Sequence, residues 1–183
     1  GKSKASKHSS TGGVEESEVP VVAFDYAFLS DRTGKVVDDE EATDHSVSEA
    51  EGGVLKFLVG HDSKSKCCAA IPVPQKGIDI DEWAVRETLK FLDFLGYQKL
   101  IIKSDQEKSL GAVMQRVRMY RGANTQNMVE NSPVGSSQSN GMVERRIQSV
   151  EGQVRTLRSA FEARTNSKMP TSSRLYAWMV IHA

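Results

Sequence analysis

The sequence predicts an α/β domain in which a mixed five-stranded sheet is flanked by helices. Near the start of the chain, three short apolar segments can pair as an antiparallel meander, and the remainder alternates helical periodicity with short apolar runs. The 183 residues are 38% hydrophobic and 26% charged, which is the composition of one globular domain. This composition excludes a collagen-like, a disulfide-rich or a wholly disordered protein.

The first three strands are predicted at residues 19–29, 54–60 and 66–73. Pro20 opens the first of them, and its run VVAFDYAFL is apolar except for Asp25. The turn HDSKS separates the second strand from the third, which we expect to end at Pro72 and Pro74 because proline cannot donate to a strand ladder.

Helices and strands alternate after residue 78. Asp79 is a candidate cap for a helix over residues 83–95, which Gly96 closes. The predicted elements that follow are a buried strand at 100–102, a helix at 107–120, a strand at 124–130, a long helix at 140–164 and a final helix from 171 onward.

The long helix carries two stripes of different character. Its apolar stripe, at alternating steps of four and three, is Val143, Ile147, Val150, Val154, Leu157 and Phe161, and we expect it to face the core. The adjoining stripe is polar throughout and consists of Glu144, Gln148, Glu151, Arg155 and Arg158.

The predicted organisation is a flexible arm at residues 1–19, followed by one domain at 20–183 whose last helix is cut off at Ala183. Residues 30–53 are polar and acidic and are predicted to form a loop or insertion within that domain. No apolar run approaches the roughly 18 residues of a membrane span, so we expect no membrane association.

The charges are unevenly distributed although the net charge is zero. Residues 1–98 hold 11 basic and 18 acidic side chains, whereas residues 99–183 hold 13 basic and 6 acidic ones. The second half therefore carries +7, which indicates a surface that faces a polyanion. Cys67 and Cys68 are adjacent and lack the spacing of a zinc site, which favours an intracellular protein.

Three carboxylates stand where a carboxylate is costly. Asp25 interrupts an apolar strand, Asp105 ends the strand LIIKSD, and Glu144 opens the long helix beside its core stripe. Three such oxygen ligands could hold two divalent cations for phosphoryl transfer. Simpler explanations exist for two of them, because an Asp before a helix is often a cap and a Glu in a first turn favours the helix dipole.

Three strings around these acids resemble the catalytic core of retroviral and retrotransposon integrases. They are DYAFL, IIKSDQE and SPVGSSQSNGMVERRIQSVEGQVRTLR, and the resemblance spans residues 21–183. It implies a ribonuclease H-like fold with an Asp-Asp-Glu triad, matched here by Asp25, Asp105 and Glu144. These residues would bind Mg²⁺ or Mn²⁺, as two ions, and catalyse 3′-end processing and strand transfer of DNA.

The expected partners are DNA, both element ends and target, and further copies of the chain as a homo-oligomer. Gln138 and Asn140, in the loop before Glu144, are expected to touch the DNA end. Because the second half of the chain is basic, Lys108, Arg145 and Arg155 are expected to bind phosphates. An active enzyme of this type would work in the nucleus, although no targeting signal is seen.

The sequence departs from the integrase pattern in three ways. Between Asp105 and Glu144 there are 38 residues, slightly more than the roughly 35 usual in retroviral members. The acidic insertion has no counterpart. Where such helices often carry Lys one and two turns after the catalytic Glu, this chain has Gln148 and Glu151.

Other functions stay open at this point. One alternative is a catalytically inactive remnant that serves as a nucleic-acid-binding or structural domain, and another is a structure-selective nuclease of the same fold. A tyrosine recombinase is disfavoured because no HxxR string accompanies any of the tyrosines.

Overall fold

The computed structural model describes residues 19–30, 53–122, 126–131 and 137–183, with side chains described outside 123–140. The predicted arm at 1–19 and the acidic insertion at 30–53 thus lie almost wholly outside the described residues. The strands are β1 (Val21–Ser30), β2 (Val54–Asp62), β3 (Cys68–Val73), β4 (Lys99–Ser104) and β5 (Gln126–Asn131).

These strands form one sheet in the order β3-β2-β1-β4-β5. The pairs β1–β2 and β2–β3 are antiparallel, whereas β4 runs parallel to β1 and β5 runs parallel to β4. A short turn joins β2 to β3, as antiparallel pairing allows, whereas a parallel pair needs a crossover, and helices supply the crossovers here. The predicted α/β class, with a mixed sheet flanked by helices, is therefore confirmed.

The third strand ends at Val73, as predicted, but begins at Cys68 rather than at residue 66. Pro72 pairs with Phe57 one position before that end. β3 is the outermost strand of the described sheet, and a proline is tolerated on an outer strand because its missing N–H can face away from the neighbour.

The helices are α1 (Trp83–Leu95), α2 (Lys108–Arg121), α3 (Ser137–Thr165) and α4 (Arg174–Ile181). The predicted bounds of α1 are confirmed: Asp79 Oδ1 accepts the Trp83 amide at 2.7 Å, and Gly96 ends the helix with a φ of 71°. Among the helices in the described ranges, none combines the length and apolarity needed to cross a bilayer.

Helix α3 begins three residues earlier than predicted, at Ser137 rather than Asn140. Its first turn contains only polar residues, so apolar periodicity could not detect it. The buried stripe is confirmed for Val143, Ile147, Val150 and Val154, and Phe161 is partly buried against the same core, but Leu157 is 37% exposed. The 29-residue helix is about 43 Å long, much longer than strands of six to ten residues.

The sheet separates two cores. On one face, Val22, Phe24, Tyr26 and Phe28 of β1 pack under α1 and α2. On the other face, the alternate β1 residues Ala23, Ala27 and Leu29 pack under α3 and α4. Because side chains alternate along a strand, Asp25 projects from β1 toward the α3 side.

Candidate functional site

Asp25 lies in the middle of β1, on the face covered by α3. It is partly buried and stands opposite Val59 of β2, between the small residues Ala23 and Ala27. Its Oδ1 accepts the backbone N–H of Tyr26 at 2.9 Å. A partly buried carboxylate is costly unless its charge is balanced, which is why Asp25 stands out in an otherwise apolar strand.

Asp105 directly follows β4, the strand next to β1. Phe24 and Ser104 are the last register partners of the parallel pair β1–β4, so Asp25 in β1 and Asp105 just after β4 each follow that pair by one residue. The backbones of neighbouring strands lie about 4.8 Å apart, so this register puts the two predicted site residues at adjacent positions.

Asp105 also stabilises the turn into α2. Its Oδ1 accepts the Glu107 amide at 3.0 Å, while the residue at the helix cap position, Glu107, makes no side-chain capping bond. Asp105 is therefore not the helix cap that the simpler explanation assumed, since its carboxylate bonds to the amide of the cap residue itself. This bond occupies one carboxylate oxygen of Asp105 and is compatible with a ligand at the other.

Glu144 lies near the start of α3, next to the buried residue Val143, and is exposed. Because α3 covers β1 and β2, Glu144 belongs to the same side of the sheet as Asp25. Within the described residues, no group of three or more His, Cys, Asp or Glu side chains is close enough to hold a metal ion. The convergence of all three acids stays a prediction.

A second set of residues, which the sequence did not indicate, forms polar contacts on the opposite face of β1. The Tyr26 hydroxyl accepts the Gly77 amide at 3.0 Å, and the Lys76 ammonium lies over the Tyr26 ring and pairs with Glu107 at 3.2 Å. Burial raises the pKa of Tyr26, and the charges of Glu107 and Asp105 raise it further. These contacts tie the loop before α1 to the turn that carries Asp105.

His61 on β2 is another buried group near Asp25. It pairs with Ala23 of β1, which places it diagonally next to Asp25 on the same face, and it is 4% exposed. Its Nδ1 is 3.3 Å from the Cys67 carbonyl oxygen. Burial lowers the pKa of His61, and the charge of Arg146 on α3 lowers it further, so the ring is neutral at pH 7. Only the strand register reveals this position.

The residues expected to contact DNA are distributed over two helices. Lys108 is the first residue of α2, close in sequence to Asp105, and is exposed, as is Arg145 next to Glu144. The side chain of Arg155 is 45% exposed, three turns further along α3, and its Nη1 lies 4.0 Å from Glu151 Oε2. These three cations are thus accessible, as phosphate binding requires.

Gln138 and Asn140 do not lie in a loop, as predicted, but in the first turn of α3. The helix begins earlier than the apolar pattern indicated, so both residues have helical backbone. Their side chains lie outside the described residues.

A scan against protein-family models finds no match to this chain, and a search of curated proteins finds none either. The function has to be argued from the geometry of the site and from the residues that carry the resemblance, since a fold alone does not define an activity.

Proposed function

We propose that this chain is the catalytic core of an integrase of the long-terminal-repeat retrotransposon type. It would process the 3′ ends of DNA and join them to target DNA by metal-dependent phosphoryl transfer. The observation that carries this proposal is the register of β1 and β4, which makes Asp25 and Asp105 adjacent where the parallel pairing ends.

The architecture supports the proposal. An antiparallel meander of three strands continues into two parallel strands, with helices over both faces, and this arrangement agrees with a ribonuclease H-like fold. The carboxyl end of β4 carries Asp105, and sites in sheets with parallel strands typically form at the carboxyl ends of those strands.

The donor set fits a divalent cation. Mg²⁺ prefers oxygen ligands and usually takes one or two carboxylates, completed by water and substrate phosphate. Asp25 and Asp105 provide two carboxylates on adjacent strands, and Glu144 on the covering helix would provide the third. When bound, two such ions would activate the attacking oxygen and stabilise the leaving oxygen of a phosphodiester.

The protein's own residues would orient the DNA. Lys108 is exposed at the start of α2, just after Asp105, and Arg145 is exposed on α3, next to Glu144. Both can contact DNA phosphates near the acids. Gln138 and Asn140 would touch the DNA end from the first turn of α3, and the N-terminal end of a helix favours an anion.

The proposed reaction has two phosphoryl-transfer steps. Water first attacks a phosphodiester near the 3′ end, so that a P–O bond to the water oxygen forms, the bond to the 3′ oxygen breaks and a free 3′-hydroxyl remains. That hydroxyl then attacks a target phosphodiester and displaces a target 3′-hydroxyl. No residue of the protein becomes covalently attached to DNA in this scheme, so no Ser, Tyr or Cys nucleophile is required.

A catalytically inactive remnant that binds nucleic acid is the second candidate. One observation favours it: the Asp105 carboxylate already bonds to a backbone amide. A nuclease of the same fold would hydrolyse DNA but not join it.

The decisive experiment is the resolution of a branched DNA product with Mn²⁺, compared between the wild-type protein and Glu144→Gln. Loss of a metal-binding charge should lower the rate by about a hundredfold or more, since metal stabilisation of the transition state is worth several kcal/mol. Glu87→Gln, the same substitution on α1 at the other face of the sheet, should keep the wild-type rate.

If the wild-type protein resolves no more product than Glu144→Gln, the active-enzyme proposal is wrong and the remnant replaces it. Hydrolysis without any joining would support the nuclease instead.

A further inference from the structure

Glu151 is a buried acid in the middle of α3. The residue is 1% exposed, and its Oε1 has no hydrogen-bond partner within the described part of the chain. A buried carboxylate without partners is costly when it is charged, so such a group binds a proton more readily than an exposed one. The predicted polar stripe of α3 therefore contains one member that water does not reach.

The surroundings of Glu151 contain one effective counter-charge. The elements packed on α3 bring Asp25 from β1, His61 from β2 and Tyr176 from α4 to the same side of the sheet. Among the described groups, however, only Arg155 acts on the Glu151 carboxyl by its charge. Burial raises the pKa of Glu151, and the Arg155 guanidinium opposes that rise.

The two ends of this pair are in different environments. Glu151 has a side chain that is 2% exposed, whereas the Arg155 side chain is 45% exposed, and Nη1 and Oε2 are 4.0 Å apart. Arg155 can thus turn toward a ligand in solvent, but Glu151 cannot follow it. A phosphate that engages Arg155 would neutralise the charge that keeps Glu151 ionised.

We propose that Glu151 is a positioning residue that couples phosphate binding at Arg155 to the uptake of one proton. The inference rests on the proposed function, because it takes a DNA phosphate as the ligand of Arg155. In the free protein, ionised Glu151 restrains Arg155 by ion pairing. In the complex, the phosphate oxygens pair with Arg155 and the Glu151 carboxylate takes a proton from solvent to become a neutral acid.

The coupling has a defined sign. Because bound DNA favours protonated Glu151, the association constant should fall as the pH rises, by at most about tenfold per pH unit for one proton. The dependence should appear at pH values above 4.5, the ordinary value for a glutamate, because burial moves the pKa upward.

The test measures proton uptake when the full chain binds a short DNA duplex. Calorimetric titrations at one pH, in buffers that differ in ionisation enthalpy, count the protons taken up, and fluorescence anisotropy follows affinity against pH. The wild-type protein should take up as much as one proton. Glu151→Gln, which imitates the neutral acid, should take up none from this site and should bind with an affinity that no longer falls with pH.

Arg155→Gln is the second variant, since its exposed side chain can be changed without disturbing the core. It should also lose the uptake and should flatten the slope of log K against log salt by about 0.9, as expected for one lost contact with duplex phosphate. Glu87→Gln on α1 should behave as the wild type. A merely structural role for Glu151 would change stability but not the number of protons bound with DNA.

Wild-type binding without proton uptake, or uptake that survives in Glu151→Gln, would overturn the coupling and leave the proposed function intact. If the wild-type protein does not bind DNA at all, the proposed function is wrong, and the coupling is wrong with it. Should Glu151→Gln not fold, carboxyl-carbon magnetic resonance of the wild type decides: no glutamate whose pKa rises on adding the duplex means no coupling.

Discussion

The two faces of the sheet differ in the kind of side chains they bury. The face under α1 and α2 is rich in aromatic residues, with Phe24, Tyr26 and Phe28 from β1 alone. The face under α3 and α4 receives Ala23, Ala27 and Leu29 from the same strand. β1 thus supplies aromatic side chains to one hydrophobic core and only aliphatic ones to the other.

The polar groups on these faces differ as well. Under α1, the Trp83 indole donates to the Pro72 carbonyl at 2.8 Å and the Tyr26 hydroxyl accepts the Gly77 amide, so both groups are paired with backbone. On the α3 side, Asp25, His61 and Glu151 are titratable groups next to small or apolar residues. We conclude that the first face mainly stabilises the fold, while the second carries the acids of the proposed site and the buried Glu151.

The largest expected effect is on the aromatic face. Phe24 is 1% exposed and packs edge-on against Phe91, with ring centroids 6.4 Å apart. Phe24→Ala should lower the free energy of unfolding by about 3–5 kcal/mol, the usual cost of removing a buried aromatic side chain. Urea unfolding followed by circular dichroism measures this difference.

The control is Phe94→Ala on α1, a residue that is 77% exposed. It should change the free energy of unfolding by less than about 0.5 kcal/mol. Equal losses for Phe24→Ala and Phe94→Ala would break the comparison, because stability would then not depend on the buried aromatic layer.

An intermediate effect, opposite in sign, is expected on the α3 side. Burial raises the pKa of Glu151 above 4.5 in the folded protein. The folded state therefore binds the Glu151 proton more tightly than the unfolded state does. This contribution to the free energy of unfolding is fully present below pH 4.5 and is lost as the pH rises through the pKa of the folded protein. Glu151→Gln cannot ionise, so it should be more stable than the wild type by about 1 kcal/mol at neutral pH. Below pH 4.5 the difference should vanish, which urea unfolding at several pH values would show.

The smallest effect is expected at Glu162, on the same helix but with opposite pH dependence. Its carboxylate accepts the Met169 amide, Arg158 Nε and Lys168 Nζ at 2.9, 2.9 and 3.1 Å, and these bonds lower the pKa of Glu162 to about 2. The stabilisation is present above pH 4.5 and is lost as the pH falls toward 2.

Glu162→Gln should therefore lower the melting temperature slightly at neutral pH, and the difference should disappear near pH 2. The effect is small because ion pairs at the protein surface are screened by solvent, and the Lys168 side chain is 90% exposed. The stability changes caused by Glu151→Gln and Glu162→Gln should thus depend on pH in opposite ways. The same dependence for both would contradict the interpretation that Glu151 is a buried acid and that Glu162 is an acid paired with cations and a backbone amide.

Local patterns accounted for much of the fold. The bounds of α1 follow from a capping Asp79 and a closing Gly96, and the alternation of strands and helices predicts the α/β class. Patterns failed where a residue's role depends on its neighbours in space. Leu157, for example, belongs to the apolar stripe of α3 and is nevertheless 37% exposed, while Phe161 further along the helix packs against the core.

The residues of the candidate site were predictable from the sequence, but their arrangement in space was not. The sequence by itself identified Asp25, Asp105 and Glu144, because a charge inside an apolar strand or beside a core stripe stands out locally. Asp25 and Asp105 are 80 positions apart in the chain, and only the register of β1 against β4 makes them neighbours. No local pattern contains that register, since it is decided by the packing of whole faces.

The same holds for His61 and Glu151. In the sequence, His61 is one of four scattered histidines and Glu151 belongs to a polar stripe. The pairing of β2 with β1 places His61 beside Asp25, and the packing of α3 on the sheet removes Glu151 from water. Residue type and spacing thus determined which groups can carry charge. Tertiary structure alone decided which of those groups lie together and which are kept from solvent, because burial is a property of the assembled layers.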